Sequence, residues 1–226
     1  MKPLLTITFF ICAVLVCFAQ NTTTISLQDF TELKVYDRIT VTLIKADENK
    51  LEISTANKDD MSITENKGVL KIKMVTKNFL GGNTFKAKLH YTESLKIIDA
   101  NENARIVSSG IIKGSTLDIN SQEAGVITLN IDADTVNTKS TSGSEIKLSG
   151  VAVQQVAHVN TGGKLYNKNL KSKNTSVIVL GGGIAEVYSS EKVVAKVKAG
   201  GTIEIYGNPK SIDKDKTFGG KIEFIN

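Results

Sequence analysis

Apolar and polar residues alternate along most of the chain. Between residues 25 and 75 the alternation reads Leu33-Lys-Val35, Ile39-Thr-Val41-Thr-Leu43, Leu51-Glu-Ile53, Met61-Ser-Ile63 and Leu70-Lys-Ile72-Lys-Met74. Such a period of two places one face of each strand on a core. Breakers at Asp37, 47–50, 57–60 and 66–68 separate these runs, and no stretch keeps a helical period for three turns. The segment 77–84, with Gly81 and Gly82, reads as a loop, and 85–95 resumes as strand.

Beyond about residue 95 the text repeats. A small residue is followed by a strand in Ala104-Arg-Ile106, Gly125-Val-Ile127, Ser144-Glu-Ile146, Gly163-Lys-Leu165, Ala185-Glu-Val187, Gly201-Thr-Ile203 and Gly220-Lys-Ile222. Successive anchors stand 21, 19, 19, 22, 16 and 19 residues apart. The position two after the anchor is aliphatic in every copy, and the position before it is polar in all but Val126. Adjacent positions of opposite character belong to opposite faces of a strand, so an aliphatic ladder points inward and a charged one outward. A period near 20 with a small residue at each corner predicts a coiling β-solenoid, in which stacked coils bury together what one coil cannot bury alone. An antiparallel sandwich would share the alternation but not this register. The expected fold is therefore all-β, with N-terminal antiparallel-type strands (20–95) leading into a β-solenoid, or parallel β-helix, of about seven coils (96–226). Residues 20–226 read as one continuous unit.

The first 19 residues change the compartment. Lys2 precedes an apolar run over 4–18, and Ala19 follows. This is the order of a secretory signal peptide, and the run is shorter than the roughly 20 residues of a membrane span. Cleavage after Ala19 leaves Gln20 first. Lipidation at Cys17 is the variant reading, with Val16 where Gly, Ala or Ser is usual. Both cysteines, Cys12 and Cys17, lie in this segment, so no disulfide holds the remainder. The chain is expected to be exported to the periplasm, the cell surface or the medium. Removing Lys2 leaves 27 basic and 23 acidic residues, a net charge of +4 without runs of like charge. No nucleic-acid partner is expected from that distribution.

Chemistry is sparse in this text. His90 and His158 lack metal-ligand spacing, so neither a metal nor a cofactor is expected. No nucleophile-elbow pentapeptide accompanies the serines. Gly181-Gly-Gly183 lacks the Lys-Ser/Thr ending of a phosphate loop and reads as a solenoid corner. Asp132 with Asp134, and Asp213 with Asp215, are the carboxylate pairs a polysaccharide-active enzyme would use, though both lie in turn-like polar text. Tyr166 and Tyr188 both stand three after their anchors. Stacked in register they would be neighbours on the outer face, where aromatic rings can stack on sugars.

The segment Phe30-Thr-Glu-Leu-Lys-Val-Tyr-Asp-Arg-Ile-Thr-Val41, the run Gly68-Val-Leu-Lys-Ile-Lys73 and the later ladder of small residues carry a resemblance. Over residues 29–226 the chain resembles the putative auto-transporter adhesin, head GIN domain family of bacterial envelope proteins. The resemblance implies a secreted or envelope-facing β-rich protein without established catalytic residues. The expected function is a non-enzymatic, adhesin-like or structural binding protein of the envelope, contacting a glycan or an envelope protein, with Tyr166 and Tyr188 as ligand-binding candidates. The alternative is a polysaccharide-active enzyme with carboxylates on one solenoid face. A small-molecule carrier would need a cavity that a filled prism lacks. An unpaired C-terminal strand edge predicts self-association through Lys221, Ile222 and Phe224.

Overall fold

The computed structural model describes residues 22–54, 60–75 and 84–225. The export segment with Cys12 and Cys17 lies outside the described residues, as does the loop read at 77–84 except for Thr84. Strands dominate. The first eight are β1 (Thr22–Ser26), β2 (Glu32–Val35), β3 (Ile39–Lys45), β4 (Lys50–Ser54), β5 (Met61–Asn66), β6 (Val69–Met74), β7 (Phe85–Tyr91) and β8 (Ile97–Ala100). Four long strands follow, β9 (Arg105–Ser121), β10 (Val126–Thr141), β11 (Glu145–Asn160) and β12 (Lys164–Leu180). The chain closes on β13 (Ile184–Tyr188), β14 (Lys192–Lys198), β15 (Thr202–Tyr206), β16 (Ser211–Thr217) and β17 (Lys221–Ile225).

The parallel stacking of a β-solenoid of about seven turns begins earlier than the repeats suggest. β2 pairs in parallel with β6 and β8, and β3 with β7 and β9. Among the described residues antiparallel pairing is confined to β1 on β4, β4 on β7 and β5 on β6, towards the N-terminal end. From β9 onward each coil lies parallel on the last. The long strands bend where the ladder shifts register, between Thr128 and Asn130 of β10 and between Lys147 and Ser149 of β11, and again where pairing lapses at Asp134 and Val153, so each long coil has three arms. After β12 the coils shorten to two paired arms, β13 with β15 and β17, and β14 with β16.

Each coil closes in a two-residue turn whose central residues both have positive φ, as in Glu123–Ala124, Ser142–Gly143, Thr161–Gly162 and Gly181–Gly182. These turns stack, with Asn103 N–H donating to Glu123 O at 2.9 Å and Ala124 N–H to Ser142 O at 3.1 Å. The chain thus reverses just before the small residue of each repeat. That residue is small for another reason. A Cβ on Gly163 would lie 2.3 Å from Ser140 O, because the turn packs directly on the strand end of its own core.

Registers between coils correct one repeat. Gly163 falls level with Gly183, since Lys164 pairs Ile184, and Gly183 with Gly201, since Ile184 pairs Thr202. The fifth anchor is Gly183, not Ala185. The spacings of 22 and 16 become 20 and 18. The inward ladder is then Ile106, Ile127, Ile146, Leu165, Ala185, Ile203 and Ile222. The first six are fully buried, and each large aliphatic contributes about 1.5–3 kcal/mol. Ile184 takes the outward place and is 37% exposed, a second departure beside Val126.

Candidate functional site

Outward residues form columns down the prism. On the first arm one column runs Thr128, Lys147, Tyr166, Glu186, Glu204 and Glu223. The next holds Tyr188, Tyr206 and Ile225. Tyr166 and Tyr188 therefore do not stand side by side. The expected pairing fails because the coil between them closes at Gly181–Gly182, two residues earlier than an Ala185 anchor requires. Instead Tyr166 abuts Glu186, while Tyr188 abuts Tyr206.

Three stacked carboxylates in one column repel, and each has a partner. Lys168 Nζ lies 2.9 Å from Glu186, the Tyr206 hydroxyl donates to Glu204 at 3.0 Å, and Lys221 Nζ lies 2.8 Å from Glu223. Burial pushes the Tyr206 phenol up, helped by Glu204; burial also raises Tyr166, helped by Glu145 and Glu186. Both phenols are thus neutral donors at ordinary pH. The Tyr188 ring is covered: Lys171 Nζ sits 4.0 Å from its centroid, and its Cε2 edge rests on Gly207, where a Cβ would come within 2.5 Å. Both sequence candidates are half-buried on the outer face.

The carboxylate pairs of the enzyme reading lie on strands, not in loops. Asp132 and Asp134 belong to β10, and Asp213 and Asp215 to β16. Across the sheet Asp132 faces Lys113 on one side, at 3.8 Å, and Val151 on the other. Its column brings a lysine and a valine to it rather than a second carboxylate. His90 sits 3.3 Å from Glu52, and His158 beside Lys139. A depression of about 460 Å³ lies between β1 and β5, lined by Ile25, Leu27, Met61 and Ile63 among others.

The third arm carries a polar site that motif reading missed. One column there runs Lys34, Asp99, Asn120, Lys139, His158, Ile178, Lys196 and Asp215. At its upper end a cavity of about 250 Å³ is lined by Asp99, Asn120, Ser121, Gln122, Lys139 and Thr141. These come from β8, β9, β10 and the turn after β9, so their convergence depends on coil register. Burial pushes the Asp99 carboxyl up; the Asn101 amide and, more weakly, Lys34 and Lys139 pull the other way. Among the described residues Asp99 forms no ion pair. Asn101 is 1% exposed, and neither of its amide atoms has a well-aligned hydrogen bond.

A carboxyl with a raised folded pKa gives stability that is full below its unfolded pKa, about 4, and is lost as pH rises through the folded value. Asp99→Asn removes that loss. The variant should therefore melt above the parent at pH 7 and level with it near pH 3.5, read by thermal melts across pH. A parent that melts higher at pH 7 would show that Asp99 holds a stabilising partner.

The fold is similar to those of several solved structures. A "putative adhesin" from Bacteroides fragilis superposes with a TM-score of 0.81 at 17% identity, covering 90% of this chain and 96% of that one. A "putative lipid binding protein" from Parabacteroides distasonis gives 0.71 at 20% identity, covering 91% and 96%. A "putative adhesin" from Parabacteroides merdae gives 0.70 at 16% identity, covering 91% and 95%. At these identities the likeness is one of fold. No protein with a curated description matches the chain. Residues 29–209 match the family described as "Putative auto-transporter adhesin, head GIN domain"; with its stacked coils and outward polar columns, the chain belongs to that adhesin-like family.

Proposed function

We propose that the chain is an exported, non-enzymatic binding protein of the bacterial envelope, which contacts a glycan or an envelope protein through its outward columns. The observation that carries this reading is the regularity of those columns. Parallel stacking sets Lys147, Tyr166, Glu186 and Glu204 at the strand spacing of about 4.8 Å. An extended polymer or a partner's polar surface can meet such a repeat at several points at once. The test is a glycan array probed with residues 20–226, beside a Tyr166→Ala/Tyr188→Ala double variant. A specific signal reduced in the variant supports a sugar-binding first arm. A blank array moves the assignment to a protein partner, sought by cross-linking in the native cell, where fractionation also tests export.

A second copy of the chain is the proposed partner of the last coil. Lys221, Ile222 and Phe224 lie on β17, which pairs only with β15 among the described strands. Around it Ile212 is 49% exposed, Phe224 38% and Phe218 88%. Phe218 also adopts a φ of 58° at the turn, a conformation costly for a bulky residue with no buried contact to offset it. Association here is opposed by charge. Lys214 and Lys216 stand level with the buried Ala195 and Val197, so lysines end two core columns, a device that blunts open edges. Self-association should therefore be weak in dilute salt and rise with ionic strength. Lys214→Val/Lys216→Val should strengthen it in light scattering. A strict monomer in both proteins at high micromolar concentration and high salt would remove the proposal.

A further inference from the structure

A half-buried carboxyl without an ion pair, beside an amide buried to 1% exposure without an aligned partner, is an arrangement a folded protein seldom keeps. Only the carboxyl lines a cavity; Asn101 stands two residues further on, outside that lining. Asp99 opens into the cavity; Asn120, Gln122 and Thr141 add two amides and a hydroxyl, and Lys139 adds an ammonium. The lining is polar on every side, so an apolar ligand has nothing to displace water for. A volume of about 250 Å³ accommodates a small ring rather than a chain or a second protein's side-chain cluster.

We propose that the Asp99 cavity holds one sugar ring of a saccharide, with the carboxyl and amide oxygens accepting hydroxyl protons and the Lys139 ammonium and amide N–H groups donating to ring or hydroxyl oxygens. Hydroxyls are both donors and acceptors, and the lining supplies both in alternation along the column Asp99, Asn120, Lys139. A dense anion fits poorly against Asp99, and a lone cation poorly against Lys139. A neutral polyol satisfies both groups. This site is separate from Tyr166, which lies on the first arm. It deepens the glycan-binding reading, on which it rests, by naming the place and the ligand unit.

The experiment titrates 15N-labelled residues 20–226 with the methyl glycosides of glucose, galactose, mannose and N-acetylglucosamine at millimolar concentration. Amide shifts and the array are recorded together. Shifts concentrated at residues 99–101, 120–122 and 139–141 are expected with at least one sugar. Asn120→Ala/Lys139→Ala, both at outward positions, should weaken that binding at least about tenfold, for two lost hydrogen bonds. Tyr166→Ala/Tyr188→Ala should leave it unchanged. An array signal lost only in the tyrosine variant would keep the adhesin reading and overturn the cavity. Shifts at the cavity with a blank array would keep the cavity and overturn the glycan assignment of the first arm. Shifts absent for all four sugars overturn the cavity outright.

Discussion

Ile146→Asp should melt about 10–15 °C below the parent at pH 7. Ile146 is fully buried at the middle of the inward ladder, between Ile127 above and Leu165 below. The substitution removes an aliphatic side chain and leaves a carboxyl without a partner between Ile127 and Leu165. That combination costs about 4–5 kcal/mol, and in a domain of this size each kcal/mol moves Tm by about 2–4 °C. The effect spreads because a solenoid is stabilised by its nearest-neighbour interfaces, and a central coil belongs to two of them. The buried carboxyl's pKa will be raised, so the penalty should shrink as pH falls towards the unfolded value of about 4 and grow above it. Ile146→Ala, which leaves a cavity but no charge, should lose less and show no such pH dependence. A near-parental melt at pH 7 for Ile146→Asp would place this residue on the outer face and break the assigned register.

Gly150→Ala should lose about 3–5 kcal/mol although it adds only a methyl group. Gly150 stands where β11 bends from its first arm to its second, at a φ of 108°. A Cβ there would lie 2.0 Å from Ile131 O of the coil above. That contact is with backbone, so relief requires moving a stacked strand, and the dihedral itself is one that L side chains rarely adopt. Gly110→Ala in β9 is the matched control. Nothing lies within 4 Å of its built Cβ and its φ is not in the left-handed region, so its melt should stay within about 2 °C of the parent, the shift from a surface change of roughly 0.5 kcal/mol. Equal losses in both variants would show that the corner does not set the cost.

The two glycines differ in how far sequence reading reaches. Gly110 and Gly150 look alike in the text, each followed by an aliphatic residue. What separates them is the neighbouring coil. The same limit explains the slip at Ala185. Gly183 and Ala185 are both small and both precede an aliphatic residue within two positions, so alternation accepts either as anchor. Only pairing of Lys164 with Ile184 selects Gly183. That choice then separates Tyr166 from Tyr188 and covers the latter with Lys171. The Asp99 cavity had no motif to betray it, since Asp99, Asn120 and Lys139 are spaced 21 and 19 residues apart, the repeat itself. Column-by-column reading of the outward positions at that period would have lined them up.

By itself the sequence determined that this chain is all-β, that it coils with a period near 20, and which face of most strands points inward. Those properties follow from local chemistry: alternation sets the faces, and small residues mark the closures. The tertiary structure decided which outward residues become neighbours, where parallel stacking starts, and that Lys214 and Lys216 stand level with the buried Ala195 and Val197. Neighbours across coils depend on where each turn closes and where each arm bends, and a shift of two residues there preserves every face while exchanging every partner.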